Sequence, residues 1–230
     1  IYEQLEELRH ILASAFKDIL PALYADNDAG AFKPDANGSG KRALRMAVLS
    51  LLTLNDGGAA ARNLFETADN MTEQAGALTA LLSAGTGQEE LASFYAQWFH
   101  DRLVMDKWFM MQVAVAAPLE AAHIADKLTQ HADFEMKNPN RFRAVFGALQ
   151  ANHGGFHAPD GAAYKLLADW LIKLDPLNPQ TTARMCGAFE TWKRYDADRQ
   201  AMIRTQLERI LATPNLSGDT TEMVSRILAA

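Results

Sequence analysis

Only one cysteine, Cys186, occurs in the 230 residues. An internal disulfide is therefore excluded, and a reducing, cytoplasmic compartment is the expected location. Long apolar runs are missing as well. The longest, LVMDKWFMMQVAVAAPL over residues 103–119, is interrupted by Asp106, Lys107 and Gln112, short of the ~20 apolar residues that span a bilayer. The first residues show no basic-then-apolar leader pattern. Positive charge is in short supply: 22 Lys and Arg stand against 28 Asp and Glu, a formal charge of −6, so a nucleic-acid groove is not expected. No Gly-x-Ser-x-Gly elbow occurs. No His-Glu-x-x-His pattern places two imidazoles on one helix face for zinc. NGSGKR resembles a phosphate-binding loop only superficially, because Asp35 and Arg42 stand where that loop needs Gly and Ser or Thr.

What the chain does have is apolar content, 49%, which excludes general disorder. Its length fits one large domain or two small ones. Apolar residues recur at helical spacing almost everywhere, as in Leu5, Leu8, Leu12, Phe16 and Ile19, or Ile203, Leu207, Ile210 and Leu211. About twelve helices are expected, over 2–24, 41–54, 57–68, 71–84, 88–102, 103–116, 118–130, 139–151, 159–174, 179–194, 196–212 and 219–229. Asn70 with Glu73 and Asp219 with Glu222 have capping-box spacing. Pro118, Pro139, Pro159 and Pro179 sit where first-turn prolines belong. Residues 26–40 are read as a surface loop. Short turns between helices imply stacked hairpins. Two Asn-Pro helix openings, at 138 and 178, lie 40 residues apart, close to the period of HEAT or armadillo pairs. The expected fold is all-α, a right-handed α-α superhelix or HEAT/armadillo-like solenoid with a concave binding face. The chain opens on IYEQLEEL, without Met and already in a helical pattern, and is expected to be a piece of something longer.

The chemistry-bearing residues are few. His153, His157 and Asp160 share the stretch HGGFHAPDG, where a metal site competes with a loop that caps the next helix. Cys186, in ARMCGAF, is expected to be a buried, inert thiol. LVMDKWFMMQ is expected to be an enclosed helix with Asp106 and Lys107 on a narrow wet edge. The interleaved charges of WKRYDADRQAMIRTQLER fit a solvated helix face. The Asn-Pro openings are less ordinary. NPNRFR carries Arg141 and Arg143, and NPQTTAR carries Arg184 about one turn in, near helix ends whose dipole favours anions. Positions 141 and 143 point about 200° apart on a helix, so at most one faces inward. Surface arginines paired with acids are one reading; guanidinium forks awaiting a carboxylate are the other. The pattern leaves both open.

NMTEQAGALTAL, LVMDKWFMMQ, NPNRFRAVFGALQ, FHAPDGAAYKLLADWLIKLDPLNPQTTAR, WKRYDADRQAMIRTQLERI and NLSGD, in that order, together resemble the C-terminal domain of bacterial aminopeptidase N. These enzymes are alanyl aminopeptidases of the gluzincin zinc-metallopeptidase family. The likeness runs from about residue 41 to the C-terminus, and helical patterning precedes it. It implies that residues 1–230 form a single α-helical C-terminal domain of a larger enzyme, closing over an active site housed elsewhere to form a peptide chamber. It implies zinc in the parent's catalytic domain, no catalytic or metal residues in this chain, and no activity of this piece alone. The catalytic and other domains of the same aminopeptidase, and peptide substrates, are the implied partners. Carried onto this sequence, Arg143 and Arg184 would receive a peptide's C-terminal carboxylate and Gln180 would approach the first-residue pocket. Two rivals stand beside this reading: a free-standing HEAT-like protein-interaction module, and an independent helical enzyme, for which no nucleophile with its base is present.

Overall fold

The computed structural model describes residues 2–230, and their regular structure is entirely helical. The chain divides into two compact units, Ile1–Asp101 and Arg102–Ala230. The first holds α1 (Tyr2–Ala15), α2 (Leu20–Asp26), α3 (Ala36–Asp56), α4 (Ala59–Thr67), α5 (Met71–Ser83) and α6 (Gln88–Trp98). The second holds α7 (Arg102–Ala114), α8 (Ala121–Thr129), α9 (Pro139–Ala151), α10 (His153–Phe156), α11 (Ala162–Leu174), α12 (Pro179–Cys186), α13 (Ala197–Leu211) and α14 (Gly218–Ala229). Two short 3-10 turns, Gly187–Phe189 and Trp192–Arg194, follow α12.

Helices pack both on their neighbours and on the next but one: α1 on α3 and α3 on α5 in the first unit, α7 on α9, α11 on α13 and α12 on α14 in the second. This layering follows from apolar stripes wide enough to be covered from two sides. In the first unit Val48 and Leu52 of α3 bury against Leu20 of α2. In the second, Phe142, Val145, Phe146 and Leu149 of α9 are fully enclosed, with Phe142 tilted against Phe146 at 4.6 Å between ring centres and Phe146 against Trp170 of α11 at 5.6 Å. Each such side chain contributes about 1.5–3 kcal/mol by leaving water.

Several boundaries differ from the sequence expectation, each for a local reason. The single helix expected over 2–24 is two helices, because Pro21 in the first turn of α2 cannot continue the ladder of α1. The loop expected to run to residue 40 ends at Asp35. Its carboxylate accepts from Gly38 N at 2.7 Å and caps α3, so NGSGKR is the first turns of a helix and cradles nothing. Arg42 is buried there, donating to Lys33 O and lying over the Phe32 ring. The helix expected over 179–194 stops at Cys186 and relaxes into the two 3-10 turns. Pro139 and Pro179 occupy first turns as expected, whereas Pro118 and Pro159 lie in turns ahead of α8 and α11. Asn70 caps α5 and receives Glu73 N, while α14 is capped by Ser217 rather than Asp219.

Candidate guanidinium face on α9 and α12

Both Asn-Pro pairs open helices. Asn138 Oδ1 accepts from Asn140 N and Arg141 N, and Asn178 Oδ1 accepts from Thr181 N, so side chains satisfy donors the helix cannot reach. From that common start the arginines diverge. Arg141 is buried: its Nε donates to Asp106 of α7 at 2.6 Å, Nη1 donates to Asp133 O, and the guanidinium lies 4.5 Å from the Phe109 ring centre. It is a rivet between α7 and α9. Of the edge expected to hold Asp106 and Lys107, Lys107 is exposed, whereas Asp106 is partly buried as the counter-ion of Arg141.

Arg143 is exposed. Its Nε donates to Pro139 O at 3.1 Å and Nη2 to Asn140 Oδ1 at 2.7 Å. These contacts hold it over the first turn of its own helix and leave the guanidinium without a carboxylate partner among the described residues. Arg184 and Gln180 are exposed too, one turn apart on α12. Neither makes a side-chain hydrogen bond or ion pair among the described residues. One part of the expected geometry needs correction: α12 has only 8 residues and Arg184 lies in its last turn, where the dipole is negative. The N-terminal helix field does not assist this guanidinium.

A long hydrogen bond joins the two helices. Gln150, in the last turn of α9, donates through Nε2 to Met185 O of α12 at 3.4 Å. Arg143 and Gln150 are seven positions apart, and Gln180 and Arg184 four apart, so each pair shares a helix face. Gln150 was not anticipated; its spacing from Arg143 was the available signal.

The other sequence candidates have structural explanations. Asn152 accepts from Gly155 N and donates to Val113 O and Ala116 O, pinning HGGF to α7. His157 Nδ1 meets Tyr164 Oη at 2.7 Å, its ring stacks on Tyr195 at 3.9 Å, and Arg199 Nε donates to its carbonyl. Burial, with smaller contributions from His153 and Arg199, lowers the His157 pKa to about 4. Burial likewise raises the Tyr164 phenol. Asp160 accepts from Ala162 N at the start of α11. Among the described residues no group of three or more His, Cys, Asp or Glu side chains is placed to hold a metal ion. Cys186 is fully buried, and burial with nearby Asp175 pushes its thiol up to about 12. Among the described residues no helix is long and apolar enough to cross a membrane.

The family described as "Domain of unknown function (DUF3458_C) ARM repeats" matches residues 1–229. The chain belongs to that family of ARM-repeat helical domains, and this agrees with the stacked-helix fold expected from its periodicity. Its relatives identify the kind of protein that carries it, as the C-terminal domain of aminopeptidase N. The chain is 38% identical to aminopeptidase N of Caulobacter vibrioides, over 97% of this chain and 26% of that protein. It is 35% identical to aminopeptidase N of Escherichia coli, over 100% of this chain and 27% of that protein. It superposes on the crystal structure of Legionella pneumophila aminopeptidase A in complex with aspartic acid with a TM-score of 0.89 and 27% identity, covering 99% of this chain and 28% of that one. The chain thus spans about a quarter of the length of these relatives.

Proposed function

We propose that residues 1–230 are the C-terminal α-helical domain of a cytoplasmic, zinc-dependent aminopeptidase. In this reading the domain covers the active site, walls the substrate chamber and receives the C-terminal end of the peptide. The observation that carries it is the exposure of Arg143, Gln180 and Arg184 on α9 and α12, without acidic partners among the described residues, while neighbouring Arg141 is consumed by a buried ion pair. A guanidinium presents paired N–H donors that match a carboxylate's two oxygens. Shielded from water, each such contact contributes about 1.5–3 kcal/mol. An amide or ester end is neutral and offers no carboxylate oxygen pair, so the site would favour peptides with a free carboxylate.

Zinc, in this reading, is held by another domain of the parent enzyme, and no chemical step runs through Arg143, Gln180 or Arg184. Their task is positioning. The relatives, aminopeptidases about four times the length of this chain, favour this reading over a free-standing HEAT-like interaction module. The exposed apolar stripe Leu5, Leu8 and Ile11 of α1 is the face against which another domain of the same enzyme docks, since contiguous exposed apolar surface marks an interface.

The test uses the full-length enzyme. Arg184→Ala should raise KM for short free-acid peptides about tenfold while changing KM for matched C-terminal amides far less. Equal changes for both substrate types would remove the carboxylate role.

A further inference from the structure

The stretch NGSGKR, which holds no phosphate, carries a different chemistry. Asn37–Gly38 is the one place in the 230 residues where glycine follows asparagine. In such a pair the absent side chain lets the glycine nitrogen reach the neighbouring amide. That nitrogen attacks Asn37 Cγ, the new N–C bond closes a cyclic imide, and the Cγ–Nδ2 bond breaks. The proton of the attacking N–H leaves with Nδ2 as ammonia. Water then opens either carbonyl of the ring. The product is aspartate, or isoaspartate, whose main chain runs through the side-chain carbon. No oxidant or reductant takes part.

The fold both displays this pair and restrains it. Asn37 is exposed, whereas Gly38 is buried. The attacking nitrogen is already engaged, because Gly38 N donates to Asp35 Oδ1 at 2.7 Å in the cap of α3. Ring closure also needs the ψ angle of Asn37 turned out of the helical well, so that the nitrogen comes beside Cβ; Asn37 lies in the first turn of α3. The glycine is demanded by its neighbours. A Cβ built on Gly38 lies 3.0 Å from Arg42 Nη1, 3.1 Å from Asp35 Oδ1 and 3.1 Å from Lys33 O. Those groups close the turn, since Arg42 donates to Lys33 O at 3.3 Å. The packing that requires glycine after Asn37 therefore makes the pair labile, and the cap keeps it shut.

We infer that Asn37 is a site of spontaneous deamidation, closed while Asp35 caps α3 and reactive when that first turn frays. Helix ends are where fraying occurs. An isoaspartate at 37 adds a carbon to the main chain just before Gly38, so the Gly38 N–H no longer meets Asp35 and the cap cannot reform. The loop ahead of α3 is then loosened at its near end. Arg42 holds that loop at Lys33 O, Arg45 holds it at Asp28 across 3.1 Å, and Asp69 accepts from Phe32 N at 2.9 Å. This inference stands apart from the carboxylate reading above.

The experiment ages the full-length enzyme in warm, mildly alkaline buffer, native and in urea, and follows the peptide spanning Asn37 by mass spectrometry. Among the asparagines of these 230 residues, Asn37 should be the first converted in urea. Native conversion should be slower by about tenfold or more, because the turn is open only part of the time. Asp35→Ala should quicken native conversion about fivefold, the factor that loss of an N-cap brings, while Asp35→Ser, which keeps a capping oxygen, should stay within about twofold. Isoaspartate should accompany aspartate in the product, resolved by an endoproteinase that cuts before aspartate alone. A native rate equal to the urea rate overturns the inference, as does a native rate for Asp35→Ala equal to the parent's. Aspartate without isoaspartate also overturns it, because the amide would then be hydrolysed directly and not through Gly38. If circular dichroism shows Asp35→Ala unfolded, the native-to-urea ratio and the product of the parent enzyme decide.

Discussion

The two arginines of NPNRFR are the sharpest lesson at the scale of single residues. They are near neighbours in sequence and opposites in environment, Arg141 with its side chain 6% exposed beside Asp106 and Arg143 in the open. Removing one partner of a buried pair strands the other charge, at a cost of about 3–5 kcal/mol. Arg141→Ala should therefore lower unfolding stability by about 3 kcal/mol, whereas Arg143→Ala should stay within about 0.5 kcal/mol, as surface changes do. Chemical denaturation of the two variants side by side checks this, and similar losses would contradict the assignment. Sequence alone indicated that at most one of the pair points inward. It did not indicate which, because the deciding group, Asp106, lies 35 positions away on another helix. Position 106 sits in an apolar run that gives no hint of a cationic partner.

Helix ends were where pattern reading met its limits among the elements. Periodicity located every long helix, since a wide apolar stripe survives small errors of register. It missed the break at Pro21 because apolar spacing continues across it, and it missed the four-residue α10 because a single turn has no period to detect. Caps that reach across the chain are equally silent. Asp175, at the end of α11 and 2% exposed, accepts from Ser217 N at 2.8 Å, Ser217 Oγ at 2.6 Å and Thr220 Oγ1 at 2.6 Å. Asp175 thus ends α11 through its backbone N–H on Leu171 O, while its carboxylate organises the start of α14, some 40 residues on. Asp175→Ala would leave the buried Thr220 hydroxyl and the Ser217 donors without that acceptor, each unsatisfied group costing about 1–3 kcal/mol. The expected loss is about 3 kcal/mol in denaturant unfolding, with amide exchange accelerating most in α14; uniform exchange with little loss of stability would show that the cap is dispensable.

At the scale of the whole molecule, the all-helical class and the repeated helix pairs were open to inference because 3.6-residue periodicity is a local property. The candidate arginines were only half so. They could be named from a resemblance, but their exposure, the Gln150 tie between α9 and α12, and the place of Arg184 at a helix C-terminus depend on contacts between elements. One further property follows from the single cysteine. Cys186 sits at 0% exposure with its thiol held protonated, and only thiolate reacts readily with alkylating reagents. Iodoacetamide at neutral pH should consequently mark only those molecules in which the Arg102–Ala230 unit has momentarily come apart. Labelling followed by mass spectrometry should be slow in native buffer and accelerate with urea along the unfolding curve; rapid native labelling would mean that the thiol is reached without opening. The chain carries its own clock for counting such openings, one atom of sulfur that reacts only when the surrounding helices separate.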